Sequence, residues 1–484
     1  APAIHYQGRT LAYGELRAMT LRMADAIASF GIAQGDRIAL LLNDSPEFIE
    51  AFVATCSLGA VAVPVNMALR LEEQCSILHN CGARLALVED DICNTLLTHA
   101  PEKLRSTKIS SIKSVLDHAG DGQTVRFPTA NKNDPAFILY TSGSTGEPKG
   151  AVHTQADVFY TNQTFCREVL RVNPGDRLFS SSRLPFAYGL GNSFTFPLLN
   201  GATTILCREK PSPDVITKTL AEARPTIFFA VPVVYNLLLD HHRGGKKLDC
   251  SSLRLCVSAG EALPAHLGEE WEREFGVPVL DGIGSTEMLH MFMSNHEHDV
   301  RYGSSGRLLE GYEARLIDEH GEPVPDDVEG NLWIKGDSAA RYYWERPDET
   351  ARTFVDGWVR TGDLYRRDAD GYWYHMGRSD DCFKSSGQWV SPVEVEGLLA
   401  RHGGVRSVAV VEDFDAGGLP CACAFVVKQD VESDPAALEK ELRESVAAAL
   451  PRFKQPRRYV FVDELPYTPT GKIQRFKLRQ ALRH

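Results

Sequence analysis

Six short apolar runs, Arg37 to Leu42, Ala60 to Val65, Ala136 to Tyr140, Thr203 to Cys207, Thr226 to Val231 and Leu253 to Ser258, punctuate the chain up to Ser258. Each has the length of one strand and little polar alternation, the pattern of a strand covered on both faces. Helical spacing fills the segments between them. Leu16, Met19, Met23 and Ile27 share one face of a predicted helix that Gly31 ends. Pro46 opens a second, in which Phe48, Phe52 and Cys56 fall together before Gly59. Proline suits a first helical turn and glycine suits the end of one. Helices alternating with buried strands predict layered α/β architecture with largely parallel sheets.

At 484 residues the chain is longer than one hydrophobic core usually serves, so more than one domain is expected. Near Gly330 the texture changes to short strands and turns: Asn331 to Lys335, then the turns Asp356-Gly357 and Asp370-Gly371. This predicts a small β-rich subdomain. Beyond the charged cluster Arg378-Ser379-Asp380-Asp381 come strands around Ser407 to Val411 and Ala422 to Val427. A helix capped by Asp434 and Pro435 follows, with Leu438, Leu442 and Val446 inward. The expected fold is α/β. A large N-terminal domain, 1–379, comprises layered α/β subdomains and the small β-rich one, and a small α+β C-terminal domain spans 380–484.

A formal net charge of -12 argues against nucleic acid or an anionic membrane surface as the main partner. No apolar stretch reaches spanning length; Gly59 to Leu69 is interrupted by Pro64 and Asn66. Eleven cysteines, an odd number without metal-ligand spacing, read as thiols in a reducing, cytoplasmic compartment. His296-Glu297-His298-Asp299 and His241-His242 lack helical ligand spacing with an open coordination position and read as solvated side chains.

The strongest chemical signal follows the strand at Phe137 to Tyr140: Thr141-Ser142-Gly143-Ser144-Thr145-Gly146-Glu147-Pro148-Lys149-Gly150. Small and hydroxylated residues let backbone N–H groups close around phosphate oxygens, while hydroxyls and a lysine add donors and charge. A Walker-type loop needs Gly-Lys followed by Ser or Thr. Lys149 stands between Pro148 and Gly150, so that reading fails.

This loop resembles the phosphate-binding signature of the adenylate-forming superfamily of acyl-CoA ligases, firefly-type luciferases and peptide-synthetase adenylation domains. Further motifs follow in the family's order. Ser258-Ala259-Gly260-Glu261 resembles its adenine-side loop and Asp281-Gly282-Ile283-Gly284-Ser285-Thr286-Glu287 its second nucleotide motif. Trp358-Val359-Arg360-Thr361-Gly362-Asp363 resembles the ribose segment, and Pro469-Thr470-Gly471-Lys472 the motif with the catalytic lysine. The resemblance implies ATP, Mg²⁺ and coenzyme A as the small molecules used. It places Thr286 at the α-phosphate, Glu287 on Mg²⁺, Asp363 and Arg378 at the ribose and Lys472 at the reacting centre. It also makes Asp380 a hinge about which the C-terminal domain turns, with Ser386 and Gly387 lining the pantetheine tunnel.

The implied chemistry is acid activation. A carboxylate resists nucleophiles until its oxygen becomes a better leaving group. Attack on the α-phosphate of ATP supplies AMP, and a thiol then expels it. Two anions meet in the first step, which calls for positive charge there. Where amino-acid-activating relatives carry an Asp to pair with an ammonium, Leu184-Pro185-Phe186-Ala187 has Ala187. Unpaired burial of an ammonium is costly. The surrounding segments look most like benzoate-CoA ligases, and by that likeness Ala187, Tyr188, Gly284, His290 and Met291 line an acid pocket. The expected substrate is a small aromatic carboxylic acid, benzoate or a benzoate such as 2-aminobenzoate. The expected acceptor is coenzyme A, with a carrier protein as the alternative, and the expected state is a monomer or homodimer.

Overall fold

The computed structural model describes residues 1–99, 104–117, 120, 126–129, 131–141, 148–385, 388–415, 417–467 and 473–482. Among these, six strands form one sheet in the order Lys108–Ser111, Leu85–Val88, Arg37–Leu41, Val61–Pro64, Pro135–Thr141 and Lys149–Thr154. All neighbours run parallel except the last pair, a hairpin. The unbroken apolar runs have a direct cause. Ile38 and Leu40 pack into one buried cluster, Ala39 and Leu41 into another on the opposite face. The helix Tyr13–Ser29 buries Leu16, Met23 and Ile27 as its spacing requires, with Met19 only partly covered. Pro46–Ser57 starts on its proline and buries Phe48 and Phe52.

A nine-stranded sheet repeats this scheme. Its parallel core runs Val279–Gly284, Leu255–Ser258, Ile227–Ala230, Arg177–Ser180, Thr203–Leu206 and Pro2–Tyr6. Here too Ile227 and Phe229 face one cluster, Phe228 and Ala230 the other. Antiparallel strands flank the core: Met291–Ser294 and Arg307–Leu308 at one end, Arg9–Ala12 at the other.

The small β-rich subdomain is an antiparallel sheet of Glu313–Ile317, Gly330–Lys335, Trp358–Arg367, Phe354–Val355 and Trp373–Arg378. It begins earlier than the change of texture at Gly330, because Glu313–Ile317 half-exposes its polar residues and so carries no apolar run. Beyond it, Val405–Phe414, Pro420–Lys428 and Arg458–Phe461 form a separate three-stranded sheet. The helix Pro435–Ala449 packs Leu438, Leu442 and Val446 against it, and the Asp434 side chain accepts the Ala436 N–H at 3.1 Å. Two stretches of π-helix, Asn162–Leu170 and Gly191–Thr195, have no signature in the hydrophobic spacing. All eleven cysteines are unpaired, and among the described residues no helix is long and apolar enough to cross a membrane.

Candidate active site

Two neighbouring parallel strands deliver two of the motifs to one place. Ser258 pairs with Asp281, so the loop Ala259-Gly260-Glu261 and the turn Ser285-Thr286-Glu287 leave the carboxyl ends of adjacent strands. Open α/β sheets bind ligands at such ends. A cleft of about 2110 Å³ opens there. Gly260, Glu261, Gly282, Ile283 and Ser285 line it together with Thr286 and Glu287. Asp363, Arg378 and Asp380 line its other wall.

The strands Pro135–Thr141 and Lys149–Thr154, which flank the predicted phosphate-binding motif, pair antiparallel. Thr141 and Lys149 face each other in register and both line the cleft. Ser142, Gly143, Ser144, Thr145 and Gly146 lie outside the described residues, as do Ser386, Gly387 and Lys472. The flanks of Lys472 are informative. Tyr467 and Ile473 bridge to each other, and both line the cleft. Arg475 is held above its ordinary pKa against burial by Glu396 and Asp381, with Glu261 of the adenine-side loop adding to the effect. The hairpin Phe383–Ser385 with Gln388–Val390, which carries positions 386 and 387, contributes no described residue to the cleft.

At the ribose segment, Arg378 Nη1 donates to Asp363 Oδ1 at 3.1 Å and to the Thr361 carbonyl at 2.8 Å. His375 approaches the same carboxylate oxygen at 3.6 Å. Burial alone would raise the Asp363 pKa, but His375 and Arg378 hold it below the carboxylate range. Asp363 is therefore a preformed anion, an acceptor suited to hydroxyls.

Asp281 and Ala259 do not line the cleft. Asp281 is buried beneath it, accepting the Leu263 N–H at 3.2 Å, and burial pushes its carboxyl up to about 8. It supports the adenine-side loop from below.

Of the expected acid pocket Gly284 lines the cleft, whereas Ala187, Tyr188, His290 and Met291 do not. His290 is enclosed by Phe196 at 4.6 Å, Phe165 at 5.2 Å and Tyr188 at 5.6 Å between ring centroids. Its Nε2 is 3.2 Å from Asn192 Oδ1, while Nδ1 has no partner among the described residues. Burial lowers its pKa to about 3, so the ring is neutral. The Tyr188 hydroxyl donates to the Val257 carbonyl at 3.1 Å. Ala187 and Met291 are buried. Gly284 also has a structural reason: a Cβ there would stand 2.5 Å from the His290 carbonyl oxygen across the hairpin to Met291–Ser294.

Among the described residues no group of three His, Cys, Asp or Glu could hold a metal alone. His242 instead pairs with Glu274 at 3.1 Å, and His296 bridges back to Asp299. A magnesium nucleotide needs less, one or two carboxylates with the phosphates completing the shell. Glu287, lining the cleft between Lys149 and Asp363, fits that requirement. Sequence reasoning missed three residues around it: His153, Asp157 and Tyr343. The Tyr343 hydroxyl donates to Glu287 Oε1 at 2.6 Å, and His153 Nε2–H donates to the Thr286 carbonyl at 2.8 Å. The spacing of His153 and Asp157, four apart at a helix start, was the available signal.

Residues 1–344 match the family described as AMP-binding enzyme and residues 394–472 its C-terminal domain. A benzoate--CoA ligase of Thauera aromatica is 40% identical over 97% of this chain and 90% of its own length. Among solved structures, the anthranilate CoA ligase AuaEII in complex with anthranoyl-AMP superposes with a TM-score of 0.94 at 35% identity, covering 100% of this chain and 94% of that one. A benzoate CoA ligase from Burkholderia xenovorans LB400 gives 0.91 at 38% identity, covering 99% and 96%. With this architecture, this cleft and these matches, the chain belongs to the AMP-binding enzyme family.

Proposed function

We propose that the protein is an ATP-dependent aryl-CoA ligase that activates benzoate or a small substituted benzoate such as 2-aminobenzoate. The carboxylate attacks the α-phosphate of ATP, forming the aryl-adenylate and releasing pyrophosphate. The thiol of coenzyme A then attacks the acyl carbon and AMP leaves. Asp363 and Arg378 would hold the ribose, Thr286 and Lys149 the phosphates, and Lys472 the meeting point of the two anions. Magnesium held by Glu287 would offset phosphate charge.

The observation that carries the aryl assignment is the character of the residues next to Gly284: the rings of Phe165, Tyr188 and Phe196 surround a neutral histidine, His290. The nearby acid, Asp281, is kept largely protonated by burial and so offers no anion to an ammonium. Such surroundings favour a flat uncharged ring and disfavour an α-amino acid. His290 Nδ1, without a close hydrogen-bond partner among the described residues, would supply a polar atom for a ring substituent or the carboxyl end.

We place the domain boundary at 379/380 with Asp380 as the hinge. The next residue, Asp381, is tied to the helix after Lys472 through Arg479 at 3.0 Å and Arg475 at 3.7 Å. Tyr467 and Ile473, on either side of the segment that carries Lys472, line the cleft, which supports a part for Lys472 in the first half-reaction.

The test is a panel of benzoate, 2-aminobenzoate, 4-hydroxybenzoate, cinnamate, octanoate and phenylalanine, each with ATP, Mg²⁺ and CoA, thioester being measured by mass. Benzoates should lead, graded among themselves, since a methyl-sized difference in an apolar pocket is worth about 1–3 kcal/mol. Octanoate or phenylalanine ahead of every benzoate would overturn the aryl assignment.

A further inference from the structure

The turn Thr286 to Leu289 is held in a conformation it would not adopt unaided. Leu289 has φ of 65°, in the left-handed region that side chains with a Cβ avoid. Such a turn persists when its surroundings over-determine it. Here the surroundings come from two remote segments. The Thr286 carbonyl accepts the Leu289 N–H at 3.1 Å within the turn and His153 Nε2–H at 2.8 Å from outside. The Glu287 carbonyl accepts the Ala340 N–H at 2.7 Å, and its carboxylate the Tyr343 hydroxyl at 2.6 Å.

The two segments are themselves joined. Residues 341–344 run along the strand Lys149–Thr154, with Val152 N–H on the Tyr342 carbonyl at 3.0 Å, Arg341 N–H on the Val152 carbonyl at 2.9 Å and Trp344 N–H on the Gly150 carbonyl at 2.7 Å. His153 and Asp157 are fully buried, 2.9 Å apart. Asp157 also takes the Thr154 N–H at 3.0 Å, the Thr154 hydroxyl at 2.7 Å and Arg341 at 3.1 Å. Lys149 Nζ stands 5.7 Å from the centre of the Tyr343 ring. The strand that carries Lys149 away from the phosphate loop is thus bolted, through Tyr343 and His153, to the turn that carries Thr286 and Glu287.

We infer that Tyr343 and His153 are positioning residues that fix Glu287 and Thr286 for the magnesium nucleotide. The inference rests on the reading of Glu287 as the carboxylate that meets the metal. Tyr343 acts through its hydroxyl. By occupying Oε1 it sets the rotamer of Glu287 and leaves Oε2 for the cleft, and in its absence the carboxylate must be ordered when the nucleotide binds. His153 acts on the backbone. Its imidazole N–H, oriented by Asp157, anchors the carbonyl of the residue whose hydroxyl would meet the α-phosphate.

The full-length protein tests this by calorimetry, titrating ATP with and without Mg²⁺. Tyr343→Phe keeps the ring beside Lys149 and removes the hydroxyl that donates to Glu287. It should weaken Mg²⁺-dependent ATP binding about tenfold while leaving binding in EDTA and the melting temperature near wild type. On a Glu287→Gln background, Tyr343→Phe should add nothing, because its effect passes through that carboxylate. His153→Ala should lower acid-dependent pyrophosphate exchange at saturating ATP at least tenfold, and His153→Gln, whose amide N–H can reach the same carbonyl, should recover much of it. Wild-type Mg²⁺ dependence in Tyr343→Phe, beside its loss in Glu287→Gln, overturns the positioning role alone. Retained Mg²⁺ dependence in Glu287→Gln overturns the reading of Glu287 and the inference with it.

Discussion

Arg378 and Asp363 meet across neighbouring strands, Nη1 to Oδ1 at 3.1 Å, and the same guanidinium nitrogen holds the Thr361 carbonyl at 2.8 Å. The pair presents an ionised carboxylate to the cleft before any nucleotide arrives. Asp363→Asn should therefore raise the KM for ATP tenfold to a hundredfold, roughly the worth of a hydrogen bond to a charged group, with little change in the KM for the aryl acid. The folded-state pKa of Asp363 lies below the ordinary carboxylate value. The group stays ionised from about pH 5 to about pH 8, so the ratio of wild-type to mutant kcat/KM for ATP should be flat across that range. A ratio that changes steeply there would contradict the preformed anion.

Gly362 sits at φ of +74°, and a Cβ on it would stand 2.7 Å from Arg378 Nη2. Gly362→Ala should cost about 1–2 kcal/mol of stability for the backbone alone. It should also push the guanidinium off Asp363, so that the KM for ATP rises toward that of Arg378→Ala. Denaturant unfolding and ATP kinetics on the two variants check both parts.

His290 gives a pH signature. Burial lowers its folded-state pKa to about 3, against about 6.5 in an unfolded chain. Between those values the unfolded chain binds a proton that the folded one does not, so stability rises with pH across the window and falls on acidification. The contribution is complete above about pH 6.5 and amounts to about 2 kcal/mol lost between pH 7 and pH 5. His290→Phe fills the same aromatic cage without a titrating nitrogen, and its urea stability should fall by about that much less over the same interval. Equal losses in the two proteins would show that His290 titrates normally.

Six strands of the two large sheets are legible because burial on both faces writes itself as an unbroken apolar run, as at Ile38 to Leu41, while others such as Arg177–Ser180 and Val279–Gly284 escape that reading. The loop after Ser258 and the turn after Gly284 leave the ends of adjacent strands at the cleft, and the ribose motif lies within the strand Trp358–Arg367 on the cleft's wall. What else escaped depends on partners far away in sequence. Tyr343 is one aromatic residue in Arg341-Tyr342-Tyr343-Trp344, and nothing local ties it to Glu287. Leu289 has no turn residue's chemistry, since its left-handed backbone is imposed by the bonds on Thr286 and by the hairpin that follows. The likeness makes Gly284 a lining residue of the acid pocket, and only the pairing with Met291 shows that the glycine also lets two backbones approach.

Lys472 is assigned to the first half-reaction. Lys472→Ala should lower acid-dependent adenylate formation by about a hundredfold or more, the scale of losing a preorganised charge at a developing anion. Thioester formation from a synthetic aryl-adenylate and CoA should persist at a rate near wild type. Equal losses in both steps would remove the assignment.

The central claim is an aryl-adenylate formed before any thiol is needed, and isotope exchange between labelled pyrophosphate and ATP measures that step directly. With Mg²⁺ and benzoate or 2-aminobenzoate present and CoA absent, label should enter ATP, and omitting the acid should abolish the exchange. Exchange that proceeds without an acid, or that requires CoA, would contradict the account.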